Sequence, residues 1–202
     1  MNKDSKTRYV TLGIALFAFL ICGTIVFAGF TQQLDIQGKA TVKKSSWSIK
    51  FANLQPVVKT GTATEVTAPT INTNDTKISE YNVTLTTPGD SVTYNFDVVN
   101  DGTFNAKISS ITIPTPTCTG AGTNAETDKT NVCKNLTYTL TYTDGTPVAV
   151  DDTLDAGATK HLKLTLTYST DTTASQLPTD DVTVSNLAIP IIYSQAATSP
   201  SN

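Results

Sequence analysis

The side chains able to do chemistry in this chain are few and scattered. The one histidine, His161, sits in Lys160-His161-Leu162-Lys163-Leu164. Alternation there puts it on the polar side of a strand, as a solvated residue rather than a general base. The His-Glu-x-x-His arrangement that holds a catalytic zinc on one helical face does not occur. Neither does Gly-x-Ser-x-Gly or a phosphate-binding loop. Asp151-Asp152 and Asp180-Asp181 offer oxygens of the kind Ca²⁺ takes, but neither pair lies in the Asp-x-Asp-x-Asp-Gly pattern that wraps a loop around that ion. Both pairs read as solvated turn residues. No catalytic residue, metal or cofactor is implied, and the chain is expected not to be an enzyme.

Of the three cysteines, Cys22 lies inside an apolar run with apolar sequence on both sides, which does not suit the lipid-modified cysteine of a lipoprotein. Cys118 and Cys133 flank a polar loop, TGAGTNAETDKTNV. A disulfide closing a loop of about 15 residues stabilises by roughly 3 kcal/mol, and it persists in an oxidising compartment. Two free thiols, or half of a metal site, are the other readings. A zinc site wants four N or S ligands, and His161 is the sole histidine to help supply them.

The compartment follows from the N-terminus. Lys3, Lys6 and Arg8 against Asp4 give the first eight residues a net charge of +2. Val10 to Phe30 then carries no charge, and its length is about that of a helix crossing a hydrocarbon core of roughly 30 Å. The basic flank stays in the cytoplasm, so everything after Phe30 is exported. Val26-Phe27-Ala28 places small residues at −3 and −1 of a signal-peptidase site, with cleavage between Ala28 and Gly29. The apolar run is longer than the usual signal-peptide core, so an uncleaved anchor is the other outcome. Residues 1–28 are a signal peptide or N-terminal transmembrane anchor, and either outcome brings the chain to the membrane during export.

From Gly29 onward 11 Lys face 16 Asp or Glu, a net of −5 with no Arg, which is a poor match for nucleic acid. Thr, Asn, Ser and Asp dominate, the mixture of strands and turns. Leu34, Ile36, Gly38, Ala40 and Val42 alternate with polar residues as a strand does. The phase slips near Lys44 to Ser46, and Trp47, Ile49 and Phe51 continue on odd numbers, as after a bulge. Residues 53–77 read as a long loop with room for a short strand. Ile78 to Leu85 resumes a strand, Pro88-Gly89-Asp90 turns it, and Val92, Tyr94, Phe96 and Val98 alternate cleanly. Asp101-Gly102 is a hairpin signal, with Phe104 to Ile113 as the return strand.

Leu136 to Tyr142, a turn at Asp144-Gly145, and a return through Val148 and Val150 form a second such pair. Asp155-Ala156-Gly157 leads to Leu162, Leu164, Leu166 and Tyr168. Val182 to Tyr193 is the last strand, slipping phase at Ser185-Asn186, with Pro190 at an edge or bulge. Roughly seven to nine short strands at this spacing predict an all-β, two-sheet β-sandwich, jelly-roll or Ig-like, over residues 29–195. Trp47 and the tyrosines sit at core-like phases, and residues 196–202 are expected to be a disordered tail.

Two stretches resemble a known family. Gly23-Thr24-Ile25-Val26-Phe27-Ala28-Gly29-Phe30-Thr31 resembles the junction of exported Gram-positive proteins processed by a dedicated signal peptidase. Thr87-Pro88-Gly89-Asp90, followed by Tyr94, Phe96, Val98 and Asn100-Asp101-Gly102, looks like the strand-turn-strand of the TasA/camelysin family of biofilm-matrix proteins. The likeness covers the leader and about a third of the domain, and the cysteine pair and the Tyr-Thr-rich second half depart from it. It implies a jelly-roll-like sandwich, secretion, and subunits able to assemble into fibres. Some members are described as proteases, but the residues such an activity requires are not found in this chain.

The expected function is therefore a non-enzymatic structural protein of the cell surface or biofilm matrix, self-assembling as a homo-oligomer or fibre. Leu34, Ile36, Ala40 and Val42 form the candidate donor strand, freed by cleavage to complete a neighbour's sheet. The competing reading pairs that strand within its own domain. The alternative function is a membrane-tethered Ig-like binding or adhesion module, for which no residue cluster names a ligand.

Overall fold

The computed structural model describes residues 38–197 together with Val10. The leader, Ala28-Gly29, Leu34 and Ile36 lie outside the described residues apart from Val10. Among the described residues no helix is long and apolar enough to cross a membrane. The chain divides into two compact units, Met1–Lys43 and Lys44–Asn202. The second is mostly strand in several sheets, with one α-helix, and is sandwich-like.

Its spine is β5 (Ser91–Asn100), in which every second residue is buried. Antiparallel to it run β10 (Thr159–Tyr168) on one side and, end to end on the other, β1 (Ile49–Ala52) and β2 (Val58–Thr60). β8 (Leu136–Tyr142) pairs with the far side of β10 and completes a five-stranded sheet. The period-two pattern gives this sheet one apolar face: Val92, Tyr94, Phe96 and Val98 lie beside Leu162, Leu164 and Leu166, then Tyr138 and Leu140. The reverse face is polar, with Thr93 and Thr165 hydroxyls 3.2 Å apart.

One end of the apolar face packs on a three-stranded sheet of β12 (Ile191–Gln195), β6 (Ala106–Ile111) and β9 (Thr153–Leu154). Ala106, Ile108 and Leu154 meet Phe96, Val98, Leu140 and Leu162 there, and each large aliphatic buried this way contributes about 1.5–3 kcal/mol. The other end is covered less regularly. β3 (Thr64–Thr67) pairs with β4 (Asn82–Thr84), and Ala63, Tyr81, Val83, Leu187 and Ile189 pack against Tyr94, Tyr138 and Leu166. A third small sheet joins β7 (Thr117–Gly120) to β11 (Val182–Ser185), with α1 (Ala125–Lys134) beside it.

Several expectations are corrected by this topology. Asp101-Gly102 does not make a hairpin, because β5 and β6 belong to different sheets. The chain crosses the core instead, and Asn100, fully buried, organises the crossing. Its Nδ2 donates to the carbonyls of Phe104 (2.9 Å) and Leu154 (3.0 Å), and its Oδ1 accepts from Gly102 N–H at 3.0 Å. Its main chain pairs with Ala158 O and Gly157 N–H, tying in the β9–β10 crossing as well. A Cβ on Gly102 would sit 2.8 Å from Ser46 O, so the corner needs glycine for close approach. The stretch 53–77, expected as a loop with room for one short strand, holds two, β2 and β3. The return through Val148 and Val150 is not a strand either: Val148 is buried, Val150 exposed, and Thr141 bridges Pro147.

The polar loop between the cysteines contains α1, which period-two reading could not find in so polar a stretch. Val182 to Tyr193 is two strands in two sheets, divided where Asn186 adopts φ 59°. Pro190 lies just before β12, an edge strand with a bulge at Ile192/Tyr193. Trp47 is 47% exposed rather than in the core.

The start of β5 is fixed by a second buried polar side chain. Asp90 accepts hydrogen bonds from the N–H groups of Thr62 (2.7 Å), Thr86 (2.7 Å) and Thr87 (3.0 Å), and from the hydroxyls of Thr62 and Thr87. Burial by itself would raise its pKa, but these donors outweigh it and hold the carboxyl well below the usual carboxylate range. Gly61, at φ +63°, stands where a Cβ would collide with that carboxylate.

Two predictions follow from these anchors. Replacing Asn100 by Ala strands a buried N–H and two carbonyls, and should cost on the order of 3 kcal/mol in urea unfolding. Asp90 is depressed in the folded state, so its contribution is complete above an unfolded pKa near 3.8 and is lost as pH falls below it. The urea midpoint should therefore drop between about pH 6 and pH 2, and less steeply in Asp90→Asn, whose midpoint is already lower at neutral pH.

Candidate functional site

The incomplete cover over the five-stranded sheet leaves a cleft of ≈ 1200 Å³. Its floor is Tyr94, Phe96, Tyr138, Leu140 and Leu164. One wall is the stretch from Thr76 to Asn82 and the other runs from Thr183 to Ile191. The volume exceeds the range of about 300–1,000 Å³ typical of small-molecule pockets. Phe51 closes one end, edge-on to Phe96 at 5.6 Å between ring centroids.

Polar groups around the cleft are spent on structure. The Tyr138 hydroxyl donates to Leu187 O at 2.5 Å, holding the 185–190 segment to the floor, and Tyr81 donates to Tyr138 at 3.4 Å. Tyr94 donates to Glu65 at 2.8 Å. Burial, and then Glu65, push the Tyr94 phenol far above its ordinary value; burial, and then Tyr138, do the same to Tyr81. These phenols are neutral at neutral pH. The floor of the cleft is apolar and largely buried, and its walls carry polar as well as apolar side chains.

One wall is fastened by α1. Asp128, buried near the helix start, accepts from Thr179 N–H (2.9 Å), Thr179 Oγ1 (2.9 Å) and Asp180 N–H (3.3 Å). Burial opposes ionisation there, but the Thr179 and Asp180 donors win and lower its pKa. Cys118 of β7 and Cys133 of α1 are joined by a disulfide with their Cα atoms 5.8 Å apart. A disulfide of this kind fits an oxidising compartment.

No protein-family model, curated protein or solved structure matches this chain.

The other residues singled out by type are dispersed. His161 is exposed on the polar face of β10, its Nδ1 2.6 Å from Asp97 Oδ1. Asp151, at φ 71°, pairs with Lys107 at 2.6 Å, while Asp152 accepts from Tyr142 Oη and Ala149 N–H. Asp180 and Asp181 are exposed. Among the described residues no group of three or more His, Cys, Asp or Glu is placed to hold a metal ion. Ala40 and Val42, the described part of the candidate donor strand, are exposed and in no strand; Val42 is 95% accessible. Local alternation marks strands in both cleft walls but carries no sign of the space between them. The phase slip at Ser185-Asn186 marks where the chain leaves one sheet before reaching the next.

The disulfide carries its own check. The intact mass of the protein isolated without reductant should rise by two hydrogens on reduction, and an unchanged mass would mean free thiols.

Proposed function

We propose that this chain is a non-enzymatic structural subunit of the cell surface or biofilm matrix, exported by its leader, whose copies join when residues 34–42 of one enter the cleft of the next. On this reading the domain is a two-sheet sandwich of the jelly-roll or Ig-like kind, akin to the TasA/camelysin family, and is released by cleavage between Ala28 and Gly29. The observation that carries the proposal is the cleft itself, larger than most small-ligand pockets, floored by a sheet face and walled by polar as well as apolar side chains. The segment that would fill it has the matching pattern. Leu34, Ile36, Ala40 and Val42 fall on one face of an extended chain, and the described residues 38–46 are all exposed. Apolar side chains moved from water into the cleft gain about 25 cal/mol per Å², which supplies the driving force. β12, whose first residue lines the cleft, is an edge strand with one side open to pairing among the described residues.

The test is expression of the full chain in a Gram-positive host, with sedimentation and intact mass of medium and membrane fractions. Ile36→Asp, or deletion of residues 29–39, should leave a folded monomer and reduce large species at least tenfold. Ala188→Trp, at an exposed cleft position, should do the same from the acceptor side. Mixed together, the Ile36→Asp and Ala188→Trp proteins retain one good cleft and one good donor between them, so they should form dimers and nothing longer. Assembly untouched by either change would sink the proposal. A full-length monomer found only in membranes would point instead to a membrane-tethered Ig-like binding or adhesion module.

A further inference from the structure

The cleft wall formed by Thr183, Val184 and Ser185 belongs to β11, and β11 pairs only with β7 among the described strands. In that ladder Cys118 stands directly opposite Val184. Cys118 is bonded to Cys133 in the last turn of α1, and Asp128 of the same helix holds Thr179 and Asp180 just before β11 begins. The wall is thus fastened to α1 twice, through sulfur behind it and through a buried carboxylate ahead of it.

The other ties on this wall are single hydrogen bonds, from Asn124 to Thr179 (3.2 Å), Ser185 to Thr117 O (3.3 Å), Asn186 to Thr115 O (3.0 Å) and Tyr138 to Leu187 O. β7 and β11 have four residues each, and a two-stranded sheet is marginal in water on its own. α1 has ten residues, below the roughly 12–15 that make an isolated helix even marginal, and Val132 is its one buried apolar side chain. Small structures with so little core depend on covalent staples. The five-stranded and three-stranded sheets share a continuous core that contains neither cysteine.

We infer that the Cys118–Cys133 disulfide is a redox latch on the cleft, so that only the oxidised chain accepts a second copy. The inference rests on the reading that the cleft receives that copy. In the reducing cytoplasm the precursor carries two thiols, its β11 wall is loose, and it does not polymerise before export. Outside the membrane a disulfide oxidant closes the bond: the two cysteine thiols yield two protons and two electrons, and the oxidant leaves as two thiols. Export and competence to assemble are thereby coupled.

Hydrogen exchange on the full chain, with and without a thiol reductant, tests the latch directly. Reduction should speed exchange at residues 177–185 at least tenfold and leave β5 and β10 unchanged. Unchanged exchange at 177–185, or equal loss of protection in β5 and β10, overturns it. Sedimentation of Cys118→Ser/Cys133→Ser beside Ile36→Asp separates the two ideas. Both variants failing to assemble supports the latch. The serine variant assembling normally while Ile36→Asp does not overturns the latch alone, and normal assembly of both overturns the strand-donation reading as well.

Discussion

The crossing between sheets at Asn100 is the constraint on which the rest of the domain hangs. Two connections pass from one sheet to the other at this corner, β5 to β6 and β9 to β10, and the buried amide serves both. Its side chain spans carbonyls 4 and 54 residues away in sequence, while its backbone closes on Ala158 and Gly157. In a low-dielectric corner each of these groups would be costly unpaired, so the side chain and both loops are stable only as a set. Asp90 does the corresponding work at the other end of β5. With both ends anchored the strand cannot slip by one residue, a slip that would turn Val92, Tyr94, Phe96 and Val98 out to solvent.

The cleft follows from that geometry. The second sheet is short, and β9 contributes only two residues, so it covers one end of the spine's apolar face. The remainder is roofed by pieces of chain that are not in the same ladder: the Thr76–Asn82 stretch, β11, and the irregular run through Leu187 and Ile189. A regular strand would have buried its alternate side chains against the floor; these segments meet it at a few points, with Tyr138 hydroxyl holding Leu187 in place. Irregular as it is, this roof keeps Tyr94, Phe96, Tyr138 and Leu140 buried beneath it.

The cysteine module stands beside this frame rather than within it. β7, α1 and β11 add one wall while the core beneath contains none of their side chains. Its own parts are held together by a ladder of four residue pairs, a buried aspartate and one disulfide, and Tyr138 hydroxyl ties the chain just after β11 to the five-stranded sheet. The buried core runs through β5, β10 and β6, while the wall adds none of its side chains to it.

What the sequence alone determined was the set of local alternations. The strands at Val92–Val98, Leu136–Tyr142 and Leu162–Tyr168 are legible because burial on one face imposes a period of two on residue type, and the glycine turns at Gly89, Gly145 and Gly157 are legible because positive φ selects glycine. The cysteine pairing was legible from the two cysteines that flank one polar loop. Which strands become neighbours was decided only in the tertiary structure. Asp101-Gly102 has the chemistry of a hairpin turn, yet carries the chain to another sheet, because Asn100, Ser46, Ser48 and Leu154 offer partners there that no local pattern encodes. The same holds for α1, whose sequence is too polar to announce a buried face and whose position depends on Cys118 and Thr179. The cleft is the furthest from the sequence, since it is a space between segments rather than a property of any one of them.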